Sequence, residues 1–198
     1  MLSTGLAINP SELSRRLALA ESQLAVRYSA GAEATLVAGL EWYQDDPQLR
    51  LMLGQIRIKN RATDAVIGDL TAAARLPMLT AGEIDESATR QVNARASFTL
   101  AILAKRRGDK IALVEHLSAC LESNPNHSVA RLMAAEIAVE QERPADATSH
   151  LVRLLSLPPD EQPTENEVLR SLPFPAGLQV WATALAQSDQ RDAARAIL

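Results

Sequence analysis

Two stretches of this sequence align with each other when one is shifted by 34 residues. Residues 96–127 fall onto residues 130–161, and each stretch holds two helical apolar patterns separated by a short break. The period predicts stacked helix hairpins, because a hairpin of about this length cannot bury its apolar face alone. The identical pairs are Ala96/Ala130, Ala101/Ala135, Ala104/Ala138, His116/His150, Leu117/Leu151, Leu121/Leu155 and Pro125/Pro159.

The rest of the chain is also patterned for helices joined by short turns. Capping residues predict helix starts after Asn9, Asp46 and Thr164, and the first helix is expected to break near Gly31. The stretch 50–93 does not keep the period. Aromatic residues make up only 3% of the chain, whereas Ala and Leu are abundant, which favours packed helices over sheets. Helices joined by short turns pack as antiparallel neighbours, so an all-α fold is predicted.

The 34-residue unit resembles the tetratricopeptide repeat (TPR). Ala101 and Ala135 match the family's small residue in the first helix, Ala147 matches the one in the second helix, and Pro125 and Pro159 match its closing proline. The family's aromatic residue and tyrosine in the first helix are missing from both copies. The resemblance implies antiparallel helix hairpins stacked as a right-handed TPR-like α-solenoid. It divides the chain into degenerate hairpins over 1–93, two repeats over 94–161, and a linker, short helix and incomplete repeat over 162–198.

The resemblance further implies a concave groove lined by the first helix of each repeat, where family members bind a peptide or a partner helix. An apolar strip in this groove would be flanked by a basic end and an acidic end. The lysine and asparagine with which some family members clamp a C-terminal carboxylate are replaced here, so that activity is not expected. The residues implied to bind a partner are Arg95, Phe98, Ile102, Lys105, Arg106, His127, Val129, Leu132, Glu136 and Glu140.

A metal or catalytic site is the alternative interpretation of residues 116–127. His116 and Cys120 are spaced i, i+4, as ligands on one helix face would be, and His127 lies across the following turn. However, Cys120 aligns with Leu154 and His116 with His150, which predicts a buried seam rather than a ligand set. The sequence contains no nucleophile elbow and no glycine-rich phosphate loop. We therefore expect no enzyme activity, no metal and no cofactor.

Charge and composition restrict the partners and the compartment. The net charge of −4 disfavours broad nucleic-acid binding, which needs a basic face. A single cysteine cannot form an internal disulfide, and no window is apolar for the roughly 20 residues of a membrane span. The N-terminus does not resemble a secretory signal, so the cytoplasm is expected, or the periplasm if a signal has been removed.

The sequence therefore predicts a protein-interaction module or scaffold whose partner is another protein or peptide. One alternative is a structural protein that self-associates as a homo-oligomer. Another is an accessory domain of a larger enzyme, since the last helical pattern runs to Leu198. Trp42 is expected in the core and Trp181 on an exposed contact surface.

Overall fold

The computed structural model describes residues 10–59, 63–80, 83–191 and 193–194. These residues form an all-α fold with one short β-hairpin. The helices are α1 (Pro10–Ala25), α2 (Ser29–Trp42), α3 (Pro47–Lys59), α4 (Thr63–Ala73), α5 (Glu86–Arg107), α6 (Lys110–Ser123), α7 (Ser128–Glu140), α8 (Pro144–Leu155), α9 (Glu165–Ser171) and α10 (Ala176–Gln187). The strands β1 (Leu79–Thr80) and β2 (Glu83–Ile84) pair antiparallel, with Leu79 opposite Ile84.

The chain divides into two compact units, Met1–Ser123 and Asn124–Leu198. We call them the N-terminal unit and the C-terminal unit. The boundary falls between α6 and α7, so the two best-matching repeats lie in different units. The predicted division at 93/94 and 161/162 follows the sequence repeat, whereas the two units are defined by their compactness. The predicted division stays a prediction.

Consecutive helices pack against each other through the N-terminal unit, from α1 to α6. Helix α3 serves two cores because its apolar residues lie on two faces. One core joins α3 to α1 and α2, and the other joins it to α4 and α5. The first contains Ala20, Ala32, Leu36, Leu49, Met52, Leu53 and Ile56, and the second contains Leu51, Val66, Leu70, Ala73, Val92, Ala96 and Leu100.

A network of charged side chains ties α2, α3 and α4 together. Asp69 of α4 is only 7% exposed, and its carboxylate lies 2.8 Å from Arg57 Nη1 and 3.4 Å from Arg50 Nη1, both of α3. Arg57 Nε donates to Glu33 of α2 at 2.9 Å. The hydrogen bond to Glu33 is the largest cause that raises the pKa of Arg57; burial opposes it and Asp69 reinforces it. The network replaces part of the hydration that these charges lose on folding.

The irregular stretch 50–93 contains the β-hairpin, which the sequence did not predict. Asp85 then caps α5, because its side chain accepts a hydrogen bond from the Ala88 amide at 2.9 Å. Thr89 Oγ1 accepts from the Met78 amide at 2.8 Å, which fastens the chain before the hairpin to the first turn of α5. Two strands of two residues are too short to show the apolar–polar alternation by which strands are predicted.

A core in the C-terminal unit is formed by α7, α8, α9 and α10 together. Its buried residues are Leu132, Ala135, Ala138, Val139, Ala147, Leu151, Leu154, Leu157, Val168, Leu172, Val180, Trp181, Ala184, Leu185 and Ala194. Helix α9 begins with the predicted capping box: Thr164 Oγ1 accepts from the Glu167 amide at 3.3 Å, and Glu167 accepts from the Thr164 amide at 2.8 Å. This hydrogen bonding lowers the pKa of Glu167.

Both tryptophans contradict the expectations from the sequence. Trp42 is 67% exposed, because it ends α2 away from the face that Ala32, Leu36 and Gly39 bury. Trp181 is 4% exposed and lies on the stripe of α10 that enters the core. The apolar pattern predicted that these helices exist, but it did not predict which of their residues are buried.

Four helices end in the same type of turn. One or two positions after the helix, a residue has a positive φ: Arg27 (61°), Gly108 (72°), Glu142 (56°) and Asp189 (61°). In each case the next amide donates to the carbonyl five residues earlier, at distances between 2.8 and 3.0 Å, as in a Schellman motif. The break between α1 and α2 is therefore at Arg27, and the expectation of a break near Gly31 is wrong. Gly31 lies inside α2 and is buried.

Glycine is expected to stabilise these turns wherever another residue now holds the positive φ. Glu142→Gly should raise the free energy of unfolding by about 0.5–1 kcal/mol, because a side chain with Cβ is strained in this conformation. Gly108→Ala should lower it by about 1 kcal/mol. An added Cβ at Gly108 would meet no atom within 4 Å, so the cost there is one of backbone conformation alone. Urea unfolding followed by circular dichroism measures both changes. If both variants were stabilised or both destabilised, the assignment of a strained left-handed conformation to these turns would be contradicted.

The predicted helix boundaries at the two chain ends lie mostly outside the described residues. This applies to the cap at Asn9 and to the last helix, expected over about 190–198. Asp46, in contrast, is described and caps α3, as predicted, by accepting from the Leu49 amide at 2.8 Å.

Candidate functional site

The predicted partner-binding residues lie on two helices, one in each unit. Helix α5 of the N-terminal unit carries five of them, of which Phe98 and Ile102 are half-buried and the rest exposed: Arg95, Lys105 and Arg106. Helix α7 of the C-terminal unit carries Val129, Leu132, Glu136 and Glu140, and His127 precedes it. A single groove through both helices stays a prediction.

Leu132 is not a groove residue in the C-terminal unit. It is 8% exposed and packs in the core with Ala135 and Leu151. Val129, one turn earlier, is 51% exposed. The alignment placed both on one face, but the neighbours of α7 cover only the later turn.

His127 is the N-cap of α7. Its Nδ1 accepts a hydrogen bond from the Ala130 amide at 3.2 Å, which replaces the Ser, Thr, Asp or Asn more usual at this position. Burial lowers the pKa of the imidazole, which favours the neutral form that can accept this bond.

Cys120, another member of the suspected ligand set, is also explained by the fold. Cys120 is fully buried, as predicted, and burial raises the pKa of its thiol to about 11. At neutral pH this thiol remains protonated and is neither a nucleophile nor a ready metal ligand. Over the part of the chain that the structure describes, no three His, Cys, Asp or Glu residues are grouped to hold a metal ion.

Burial is the largest cause that lowers the pKa of each of the three histidines, His116, His127 and His150. The unfolded chain therefore binds more protons than the folded chain as the pH falls below about 6.5, the ordinary histidine pKa. The contribution of these groups to stability is retained above that pH, and we expect it to fall as the pH drops through the lowered pKa values of the folded state.

His127→Asn keeps a capping side chain and removes one titrating group. Its urea midpoint should change less between pH 7.5 and pH 5.5 than that of the wild type, and an equal or larger change would contradict the prediction.

The C-terminal unit has a groove along α8 and α10 with a volume of about 760 Å³. It arises because small side chains recur along the facing helix flanks: Ala145, Thr148 and Ser149 on α8 are spaced as one helical stripe. Residues of α10 form the opposite wall. The groove is lined by Val139, Glu142, Pro144, Ala145, Thr148, Ser149, Val152, Ala176, Gln179, Val180, Thr183 and Gln187.

The α8–α10 groove offers hydrogen-bonding groups beside an apolar floor. Gln179, Thr183 and Gln187 are exposed along one wall, whereas Val180 is buried beneath them. Glu142 is the one charged side chain among the described lining residues. The sequence analysis missed this groove, because its signal is only a stripe of small and neutral polar residues. Such a stripe does not differ in sequence from an ordinary solvated flank.

The described residues define a class of protein, an all-α protein of tetratricopeptide-like helix hairpins. The crystal structure of the MamA protein, a TPR-like helical repeat protein, resembles this chain with a TM-score of 0.54 and 14% sequence identity. The similarity covers 93% of this chain and 87% of that chain, which shows that the fold extends over nearly the whole sequence. No protein-family model and no curated protein matches the sequence. Within the described residues, no helix combines the length and the apolar character needed to cross a membrane.

Proposed function

We propose that this protein is an interaction scaffold whose C-terminal unit binds a short, extended segment of another protein in the α8–α10 groove. The groove itself is the observation that carries the proposal. From Ala176 to Gln187 it follows α10 for about 16 Å at 1.5 Å per residue. An extended chain rises about 3.3 Å per residue, so about five residues of a partner would fit.

The lining favours a peptide over a small molecule. Small-molecule sites enclose most of their ligand's surface, whereas Ala145, Ser149, Gln179 and Thr183 are exposed and line an open surface groove. Amide and hydroxyl side chains along the wall suit the N–H and C=O groups of an extended main chain. Because the lining carries a single carboxylate, at Glu142, we expect a near-neutral segment with small side chains.

The same lining does not support catalysis. The residues that the structure describes around the groove include no His, Cys, Lys or Arg, and Glu142 is the one acidic residue among them. A hydroxyl nucleophile such as Ser149 or Thr183 would need an activating base within hydrogen-bonding reach, and His and Lys are not among these residues. The proposed scaffold acts through non-covalent binding alone.

Selection from a phage library of random heptapeptides tests the groove. Binders selected on the wild type should share a pattern of small, uncharged residues and should lose at least tenfold in affinity for Thr183→Arg, which fills the groove with a long charged side chain. Ala186→Arg is the matched control, because Ala186 is exposed on the same helix and does not line the groove. Fluorescence anisotropy with labelled peptides gives the affinities. Failure to select any common pattern, or equal binding by both arginine variants, would refute the proposal.

Self-association is a second candidate, favoured by exposed apolar side chains on the first helix hairpin. Leu19 is 51% exposed on α1, and Val37 and Trp42 are 40% and 67% exposed on α2. A second copy of the chain could cover this surface, which would make the protein a homo-oligomer. Sedimentation velocity over a hundredfold concentration range distinguishes the cases. A dimer that Trp42→Ala dissociates would support self-association, and a monomer throughout would exclude it.

A further inference from the structure

Two arginines and a histidine converge at one edge of the C-terminal unit. Arg131, in the first turn of α7, places Nη1 3.5 Å from Nδ1 of His150 on α8. Arg153, one turn after His150, donates from Nη2 to Asn126 Oδ1 at 3.0 Å. Arg131 Nε donates to the Pro125 carbonyl, which fixes the guanidinium beside the turn that precedes α7.

Neither Arg131 nor Arg153 is ion-paired with a carboxylate among the described residues. Burial and the charge of Arg131 lower the pKa of His150, whereas the charge of Asp146 raises it, so one acidic group lies near the cluster. Across the described part of the chain, no carboxylate lies within 4 Å of a guanidinium nitrogen of Arg131 or Arg153. Arg143 of the same unit differs, since its Nη1 lies 2.7 Å from Asp146. Burial and then the charge of Arg153 lower the pKa of Arg131, as expected for two neighbouring cations without an anion between them.

Apart from His150 Nδ1 and Asn126 Oδ1, which are used within the cluster, the polar groups of its four side chains are hydrogen-bond donors. Arg131 donates only, so His150 Nδ1 accepts at this contact and the proton of the neutral ring is assigned to Nε2. Asn126 uses its oxygen for Arg153, which leaves its NH2 group as a donor. The guanidinium N–H groups that do not take part in these contacts are donors as well. A set of donors without an acceptor matches a ligand whose oxygens only accept.

We propose that Arg131, His150, Arg153 and Asn126 bind the phosphate monoester of a phosphorylated partner protein. A phosphate dianion has three terminal oxygens and bears up to two charges, so it can accept bonds from several side chains and neutralise both arginines. The ligand is a single phosphate group rather than a nucleic-acid backbone, because residues 124–198 carry ten Asp and Glu against six Arg and no Lys. A polyanion would be repelled beyond the cluster.

This site is separate from the α8–α10 groove. None of Arg131, His150, Arg153 and Asn126 lines the groove, although Arg153 follows the groove residue Ser149 by one turn of α8. A substitution on α10, such as Thr183→Arg, changes the groove without replacing any residue of the cluster.

Binding of nonapeptide libraries tests the proposal, with phosphoserine, serine or glutamate fixed at the central position. The phosphoserine library should bind the wild type at least tenfold more tightly than the serine library, by fluorescence anisotropy in 0.15 M salt. Arg153→Gln should weaken phosphoserine binding about tenfold or more, as expected for loss of a charge-assisted hydrogen bond. Arg170→Gln is the matched control, because Arg170 is an exposed arginine of α9 in the same unit, and it should bind as the wild type does.

Several results would overturn the proposal. These are equal binding of the phosphoserine and serine libraries, unchanged binding by Arg153→Gln, or equally tight binding of a twelve-nucleotide single strand. If Arg153→Gln unfolds at the same temperature as the wild type, a loss of binding is caused by the change at the site and not by unfolding of the protein. Thr183→Arg, the groove variant, should leave phosphoserine binding intact, so that failure of the groove and failure of this site are distinguishable.

Discussion

Replacing Leu132 by glutamate is expected to unfold the C-terminal unit. The side chain is 8% exposed within the core that Leu151, Leu154 and Trp181 share. Burying an unpaired carboxylate costs several kcal/mol, and the apolar burial that the leucine contributed, about 2 kcal/mol, is lost as well. Because domains are stable by only about 5–15 kcal/mol, the combined loss is sufficient for unfolding. Leu132→Ala, which leaves a cavity without a charge, should cost about 2–5 kcal/mol.

Trp181 reports directly on this unfolding. The chain has two tryptophans, so a Trp42→Phe background leaves Trp181 alone, and Trp181 packs in the same core as Leu132. Its emission should shift to longer wavelength in Leu132→Glu at temperatures where the parent remains folded. Val129→Glu is the matched control, since Val129 is 51% exposed on the same helix, and its stability should change by less than about 0.5 kcal/mol. Wild-type emission and stability for Leu132→Glu would mean that this face of α7 is exposed.

Removing the Asp69 carboxylate is expected to loosen α3 and α4 in the N-terminal unit. Asp69→Ala leaves Arg50 and Arg57 without their shared partner in a place where Asp69 is 7% exposed and the arginine side chains are 26% and 22% exposed. The expected loss is about 2–4 kcal/mol, below that of a fully buried ion pair because water still reaches the arginines. Asp69→Asn retains a hydrogen-bond acceptor and should lose less.

Hydrogen exchange resolves the effect by element. Amide protection should fall over 47–59 and 63–73 in Asp69→Ala, with protection over 176–187 unchanged. Arg90→Ala removes an ion pair of the same unit in which Arg90 and Glu86 are 63% and 82% exposed, and it should change stability by less than about 1 kcal/mol. Equal effects of the two substitutions would show that Asp69 is no more important than a surface charge.

Much of the local structure could be predicted from particular residues. Pro125 and Pro159, 34 residues apart, located the helix breaks, and Thr164 with Glu167 located the start of α9, because caps and prolines act within a few residues of themselves. Cys120 was correctly predicted to be buried, because its alignment with Leu154 placed it on the apolar seam of a repeat. Each of these predictions depends on sequence-local chemistry.

The candidate sites could be predicted far less well. The α8–α10 groove depends on how far apart two helix flanks lie, and neutral side chains such as Ser149 and Thr183 carry no pattern that reveals this spacing. The cationic cluster joins Arg131 to His150, which are 19 residues apart on different helices. The repeat pair His116/His150 drew attention to a histidine, but it could not show the arginine beside it.

The sequence by itself determined the helical class, the 34-residue period and most helix boundaries, because propensity, capping and apolar spacing act along the chain. Only the tertiary structure decided that Leu132 and Trp181 are buried and Trp42 is exposed, since burial depends on which neighbouring helices cover each turn. It also decided that Arg27, Glu142 and Asp189 hold the left-handed turns where glycine would be expected, because the hairpin geometry fixes the backbone whatever residue occupies the position. Short-range chemistry therefore specified the elements, and packing between elements specified the surfaces available for binding.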